Sequence, residues 1–367
     1  MLGMESSAAA LPLRGFGAIV LGLLVAGLPL AQSGAATFPN LYQVTVEPDP
    51  AAADQRSEAI KRAMTRLLTR VTGRRDAGFD PALQGLIADP SRYLNSYGLD
   101  RQGQPVVGFN ATLVDQELIS LNWPVWGSER PLTLLWIAVD DGQGDRAILA
   151  ANELGAELSP AMAALLGDVR TEITRVADER GLPIVLPLLD LEDMTAVTFA
   201  DVWGGFEERV ELASARYRAD AILIGRVRPG GFGNEVQWLL LKDGARRGLA
   251  GISVQDGLDA IADLYAAELS SIGGANSARI TVLDVASIAD YGRVMSYLET
   301  LSVLQTVDVE SMDRGVLTLR VAARGDALVL ERVLALGGVL SPARGSGSFA
   351  APAGALTFQL ARPESGR

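Results

Sequence analysis

Leu132-Thr133-Leu134-Leu135-Trp136-Ile137-Ala138-Val139 and Ala221-Ile222-Leu223-Ile224-Gly225-Arg226-Val227 decide how the middle of this chain folds. Both are short, largely apolar and rich in strand-forming residues, so each reads as a buried strand. Between them, Pro160–Arg180 has helical spacing and Gly181 stands where a helix ends. Pro183–Leu188 then reads as a short strand and Phe206–Tyr217 as a helix. After the second buried strand, the turn Arg228–Asn234 feeds a strand over Glu235–Leu241. Lys242-Asp243-Gly244-Ala245 turns into another over Arg246–Ile252, and a helix over Gln255–Leu269 follows. The expectation for residues 131–270 is therefore an α/β unit with an antiparallel edge.

Upstream, residues 37–127 read as an α+β unit. Leu41-Tyr42-Gln43-Val44-Thr45-Val46 alternates as a strand does. Asp54 caps a helix on which Ile60, Ala63, Met64, Leu67, Leu68 and Val71 share one face, and Gly73 closes it. Pro81–Ala88 reads as a second short helix. Tyr93–Leu99 and Pro105–Phe109 read as a hairpin around Asp100-Arg101-Gln102-Gly103, and Thr112–Leu121 as a helix. Downstream, the serine- and glycine-rich Ser270–Ser277 reads as a linker. Residues 279–361 then carry the order βαββαβ of a ferredoxin-like unit: strand Arg279–Val285, a helix capped by Ser287, strands Gln305–Val309 and Val316–Val321, a helix from Asp326, and strand Ala355–Leu360. Ser341–Gly354 reads as a loop.

Composition bounds the chemistry. The 367 residues carry a net charge of −12, and only Lys61 and Lys242 are lysines. That balance argues against nucleic acid as a partner. The chain has no histidine and no cysteine. This removes Ser-His-Asp and Cys-His catalysis, the usual zinc sites, disulfides and the cysteine needed for a lipoprotein anchor. Arg14, the apolar stretch Gly15–Ala31 and the small residues Ser33-Gly34-Ala35-Ala36 make the pattern of a secretory signal over residues 1–36. An uncleaved inner-membrane anchor is the alternative, because the apolar run approaches the roughly 17 residues that span a bilayer. Membrane contact is expected only through that segment.

Each candidate site has a plainer reading beside it. Asp140-Asp141-Gly142-Gln143-Gly144-Asp145 lacks the ligand spacing of a calcium loop and reads as a solvated turn. Gly230, Gly231 and Gly233 match no phosphate-binding fingerprint and read as a hairpin turn. Asp190, Glu192, Asp193, Glu207 and Glu208 are too close in sequence to be recognised as a glycosidase pair. Arg62, Arg66, Arg70 and Arg74 form a basic strip along the first helix, either a solvated face or a surface for a polyanion. Trp123 and Trp126 are either a stacking platform or the plug of a domain junction.

Leu41-Tyr42-Gln43-Val44, Leu68-Thr69-Arg70-Val71-Thr72-Gly73-Arg74, the Tyr93 segment and Trp126-Gly127-Ser128-Glu129-Arg130-Pro131 resemble the domain-of-unknown-function 2066 family of Gram-negative bacteria. The resemblance implies an exported envelope protein and supplies no catalytic residues. Ala219–Val227 is similar to a strand of periplasmic accessory proteins whose α/β unit binds other proteins. The sequence thus leads to a non-enzymatic periplasmic protein without cofactor or metal, binding envelope proteins or cell-wall polymer. A carboxylate-based glycan hydrolase is the rival.

Overall fold

The computed structural model describes Phe38 and residues 40–152, 158–231, 233–343 and 355–362. The expected export segment lies outside them. In the first part, β1 (Gln43–Thr45) leads into α1 (Gln55–Thr72) and α2 (Gln84–Ala88). The hairpin β2 (Leu94–Leu99) and β3 (Pro105–Phe109) and the helix α3 (Ala111–Ser120) follow. The sheet order is β1-β3-β2, with every pairing antiparallel. The Asp54 carboxylate accepts the Ser57 N–H and starts α1, which ends at Gly73 in the left-handed region (φ 70°). Ala63, Met64, Leu67, Leu68 and Val71 on its inner face are fully buried against Val44, Val107, Val114 and Leu118.

The middle part begins with β4 (Thr133–Asp140) and β5 (Arg146–Ile148), then α4 (Pro160–Arg180) and β6 (Ile184–Val185). Three short helices follow: α5 (Leu191–Ala196), α6 (Phe199–Gly204) and α7 (Glu207–Ser214). Then come β7 (Ala221–Gly230), β8 (Gly233–Lys242), β9 (Ala245–Leu249) and α8 (Val254–Leu269). The two apolar runs are neighbours: β4 and β7 pair in parallel, Thr133 opposite Ala221 through Val139 opposite Val227. The order is β5-β4-β7-β8-β9, with β6 beside the start of β4 and β8 and β9 as the antiparallel edge. Every residue of β4 is buried because both faces are covered. Leu135, Ile137 and Val139 face a core shared with α4 and α8, while Leu134, Trp136 and Ala138 face a core under α5–α7. The helices α5 and α6 and the strand β5 were not legible in the sequence, and the strand expected at Pro183–Leu188 shrinks to two residues.

The last part has β10 (Ala275–Leu283), α9 (Ile288–Glu299), β11 (Leu304–Asp313), β12 (Val316–Arg324) and α10 (Ala327–Ala335). It closes with β13 (Leu340–Pro342) and β14 (Ala355–Leu360). The order β11-β12-β10-β14 is that of a ferredoxin-like sheet, with β13 added at the edge. That extra strand reverses the chain, so β14 runs parallel to β10 instead of antiparallel. Ser341 and Pro342 of the expected loop at Ser341–Gly354 are therefore strand; Ala343 follows it, and residues 344–354 lie outside the described residues.

The stretch expected as a linker does not behave as one. Ser271 is buried and pairs with Val125 through two backbone hydrogen bonds of 2.8 and 2.9 Å, and β10 already starts at Ala275. One core runs without a break from Val139 and Tyr265 to Ile280, Tyr297 and Phe358. All three sheets belong to one compact unit.

Candidate functional site

The basic strip of α1 has a geometric reason for its spacing. Arginines four apart on a helix advance about 6 Å, and alternate carbonyls of a strand advance about 6.6 Å, so the two repeats match. Arg62 donates to the Glu47 carbonyl and Arg66 to that of Thr45 (2.9 Å). Arg70 donates to the carbonyls of Gln43 (2.9 Å) and Leu41 (3.4 Å). Those of Gln43 and Thr45 are the carbonyls that β1, as the edge strand, leaves unpaired, and Leu41 and Glu47 continue the row beyond its two ends. Arg62, Arg66 and Arg70 thus form neither a solvated face nor an open basic surface but cap a sheet edge, whereas Arg74 stays half exposed beside Asp76.

At its C-terminal end this ladder enters a junction of three arginines. Arg70, Arg130 and Arg180 are 1, 0 and 0 % exposed. Here the C-termini of α1 and α4 meet, and each helix leaves carbonyls without an internal partner. The two ends exchange arginines. Arg70 of α1 donates Nε to the Asp178 carbonyl (3.0 Å) and Nη2 to the Asp178 carboxylate (2.9 Å). Arg180 of α4 donates to the Gly73 carbonyl (2.9 Å), to Asp259 (2.9 Å) and to Asp263.

Arg130 sits between them and bonds no carboxylate among the described residues. Its five N–H bonds go to five backbone carbonyls: Gly127, Arg180, Gly181, Arg70 and Trp126, at 2.8 to 3.1 Å. Burial pushes its guanidinium well below the usual arginine range, and the Arg70 charge adds to that. What compensates the cation is the negative end of two helix dipoles, whose last carbonyls it binds. Its plane also lies 3.7 Å from the Trp126 ring centre. Gly181 completes the fit: a Cβ there would lie 2.6 Å from Arg130 Nη1, on a backbone at φ 65°.

The two tryptophans occupy this junction. Trp126 is fully buried, and its backbone N–H donates to the Val71 carbonyl (2.7 Å). Trp123 packs in the core of the first part while Arg74 lies 4.7 Å from its ring centre. Neither offers a bare ring face of the kind a sugar stacks upon. The third part is held to the same seam: Glu129 accepts from the Ser302 N–H and hydroxyl (2.6 and 2.7 Å). Arg324 donates to Asp115 (2.6 Å), which also takes the Tyr42 hydroxyl proton bond. Asp220, pushed upward by burial, accepts from the N–H groups of Leu132 (2.7 Å) and Gly337 (3.4 Å).

At the mouth of the junction lies a cleft of about 630 Å³ between the end of α1 and α8. Pro124, Ala266, Ala267 and Ile272 make its apolar surface, and Arg74, Arg75, Asp76 and Asp263 its charged surface. Both carboxylates are engaged: Asp76 accepts two bonds from Arg74 (3.0 and 2.6 Å), and Asp263 is bound by Arg180. The Arg74 hydrogen bonds hold Asp76 below the usual carboxylate range. A general acid for glycoside cleavage needs the opposite shift.

Of the residues singled out from sequence, Arg62 and Arg66 cap β1, Arg70 and Trp126 are inside the junction, and Arg74 with Trp123 borders the cleft. Arg130, Arg180, Asp178, Asp259 and Asp263 were missed. An arginine just before a helix-ending glycine is an ordinary dipole partner, and nothing in the sequence marks Arg180 as buried. In the Asp140–Asp145 turn, Asp141 accepts the N–H groups of Gln143, Gly144 and Asp145. Its carboxylate is spent on its own loop.

A model of a domain of unknown function (DUF8605) matches residues 35–127, from the start of the first part to Gly127. This is a domain of unknown function other than the 2066 family that the motifs resemble. No curated protein and no solved structure matches the chain.

Proposed function

We propose that the chain is an exported, non-catalytic binding module of the bacterial envelope, and that it receives a segment of another envelope component in the cleft between α1 and α8. The observation that carries this reading is the cleft itself. It is preformed, mixed apolar and charged, and built on a seam rigidified by three buried arginines. Its carboxylates are locked in arginine pairs, which suits recognition better than proton transfer. The export pattern before residue 37 and the likeness to the 2066 family support the envelope setting.

The test uses the full chain in cells, with a photo-crosslinking residue at Ala267 or Ile272 and a control probe at the exposed Leu99. The expected result is capture of the same envelope component from both cleft positions and not from Leu99. Hydrolysis of wall glycan by the purified protein, with no cleft-specific capture, would overturn the reading. Mass spectrometry of the mature N-terminus is expected to find a start at Ala36 or Thr37.

A further inference from the structure

A second surface lies on the opposite face of the central sheet from α8. Between β6 and β7 the chain departs into α5, α6 and α7, and this excursion leaves large apolar side chains in solvent. Leu191 and Leu212 are each 77 % exposed, and Leu188, Met194 and Phe206 are exposed as well. Three of these surround one ion-pair centre. Leu212 stands one helical turn before Arg216, whose guanidinium reaches Asp190 (2.7 Å) and Glu192 (3.5 Å) on either side of Leu191. The Leu188 N–H donates to the Tyr217 hydroxyl beside it (2.8 Å).

The floor beneath is fixed. Asp193, its side chain fully buried, accepts from the Leu189 N–H (2.9 Å), from Arg216 (3.1 Å) and from the Tyr217 hydroxyl. Leu189 is held at φ 50°, a conformation leucine seldom adopts, so that it points into the core while Leu188 points out. Apolar side chains displayed on a rigid, strained scaffold mark an interaction surface.

The charge on this face names its partner. Arg209 and Arg216 are taken by Asp201 and Asp190. Glu208 and Glu211, exposed beside Leu212 on α7, have no ion-pair partner among the described residues. Glutamates beside leucines repel an anionic membrane and attract cations. We propose that the α5–α7 face docks a basic amphipathic segment of another protein, leucines meeting its apolar stripe and Glu208 and Glu211 its lysines or arginines.

Anisotropy titration of the purified protein with a labelled leucine–lysine amphipathic peptide tests this, with a leucine–glutamate peptide and phosphatidylglycerol vesicles as controls. Saturable binding of the basic peptide alone is expected. It should weaken about tenfold or more in Leu191→Ser/Leu212→Ser and, independently, in Glu208→Lys/Glu211→Lys. The second pair changes only exposed charges and serves if the first disturbs folding, which a thermal melt reports. Both pairs lie away from the cleft, so cleft-specific capture persists in them. The proposal is overturned by undiminished binding in the charge-reversed variant or by equal binding of the acidic peptide. It is overturned equally if the face instead recruits vesicles, or self-associates, in a way that the variants abolish.

Discussion

Arg130 shows how one residue closes a junction. A guanidinium has five donors in one plane, and each meets a carbonyl at the ends of α1 and α4 or in the Trp126–Gly127 segment. Lysine offers three donors on a point charge and no flat face for Trp126. Arg130→Lys is therefore expected to cost about 3 kcal/mol or more in urea unfolding, and Arg130→Met at least as much, because buried carbonyls are left unpaired. A loss below about 1 kcal/mol in both variants would mean that water or repacking satisfies those carbonyls. None of this was visible in the sequence, where Arg130 is an arginine between Glu129 and a proline. Arg70 was visible as a charge on a helix, but its apolar neighbours Leu67 and Val71 did not reveal that the polar face beside them would also be covered.

At the scale of elements, periodicity located α1, α4, α8 and the strands β4 and β7, because long apolar patterns outweigh local detail. The short helices α5 and α6 have six residues each and lean on capping: Thr198 and Asp201 form a capping box, and Asp190 accepts the Asp193 N–H. Six residues leave too little pattern to read. The match of α1 to β1 carries its own prediction. Arg62→Ala/Arg66→Ala uncovers the Thr45 and Glu47 carbonyls, and the bare edge should self-associate. Light scattering is expected to show oligomers in the variant and none in the wild type, alongside a loss of about 1–3 kcal/mol in stability. A variant that stays monomeric contradicts the edge-sealing role. The α5–α7 scaffold has an acid-sensitive latch. The Arg216 hydrogen bond and the Asp193 N–H lower Asp190 from 3.8 to about 2. Its contribution is thus complete above pH 3.8 and is lost as pH falls toward 2. Proteolysis within residues 188–218 should rise over that window, and Asp190→Asn should show the raised rate already at neutral pH.

For the whole molecule, the sequence divided the chain into three parts, and each carries its own sheet. What it could not convey is that the second and third parts share one core and that one polar seam joins all three. Ser271 in the presumed linker looks the same in sequence whether it swings freely or pairs with Val125. Unfolding is accordingly expected as one transition, with tryptophan fluorescence and far-ultraviolet dichroism coinciding; in Arg130→Met the two curves should separate. Coincident curves in that variant would place the coupling in the apolar core alone. The seam has a further chemical consequence. Its cations are guanidinium groups, which do not undergo redox chemistry. An oxidant therefore finds no trigger there. The natural solvent for such a seam is its own chemistry in bulk: guanidinium chloride competes for the same carbonyls. Its denaturing potency relative to urea should exceed the roughly twofold ratio usual for proteins.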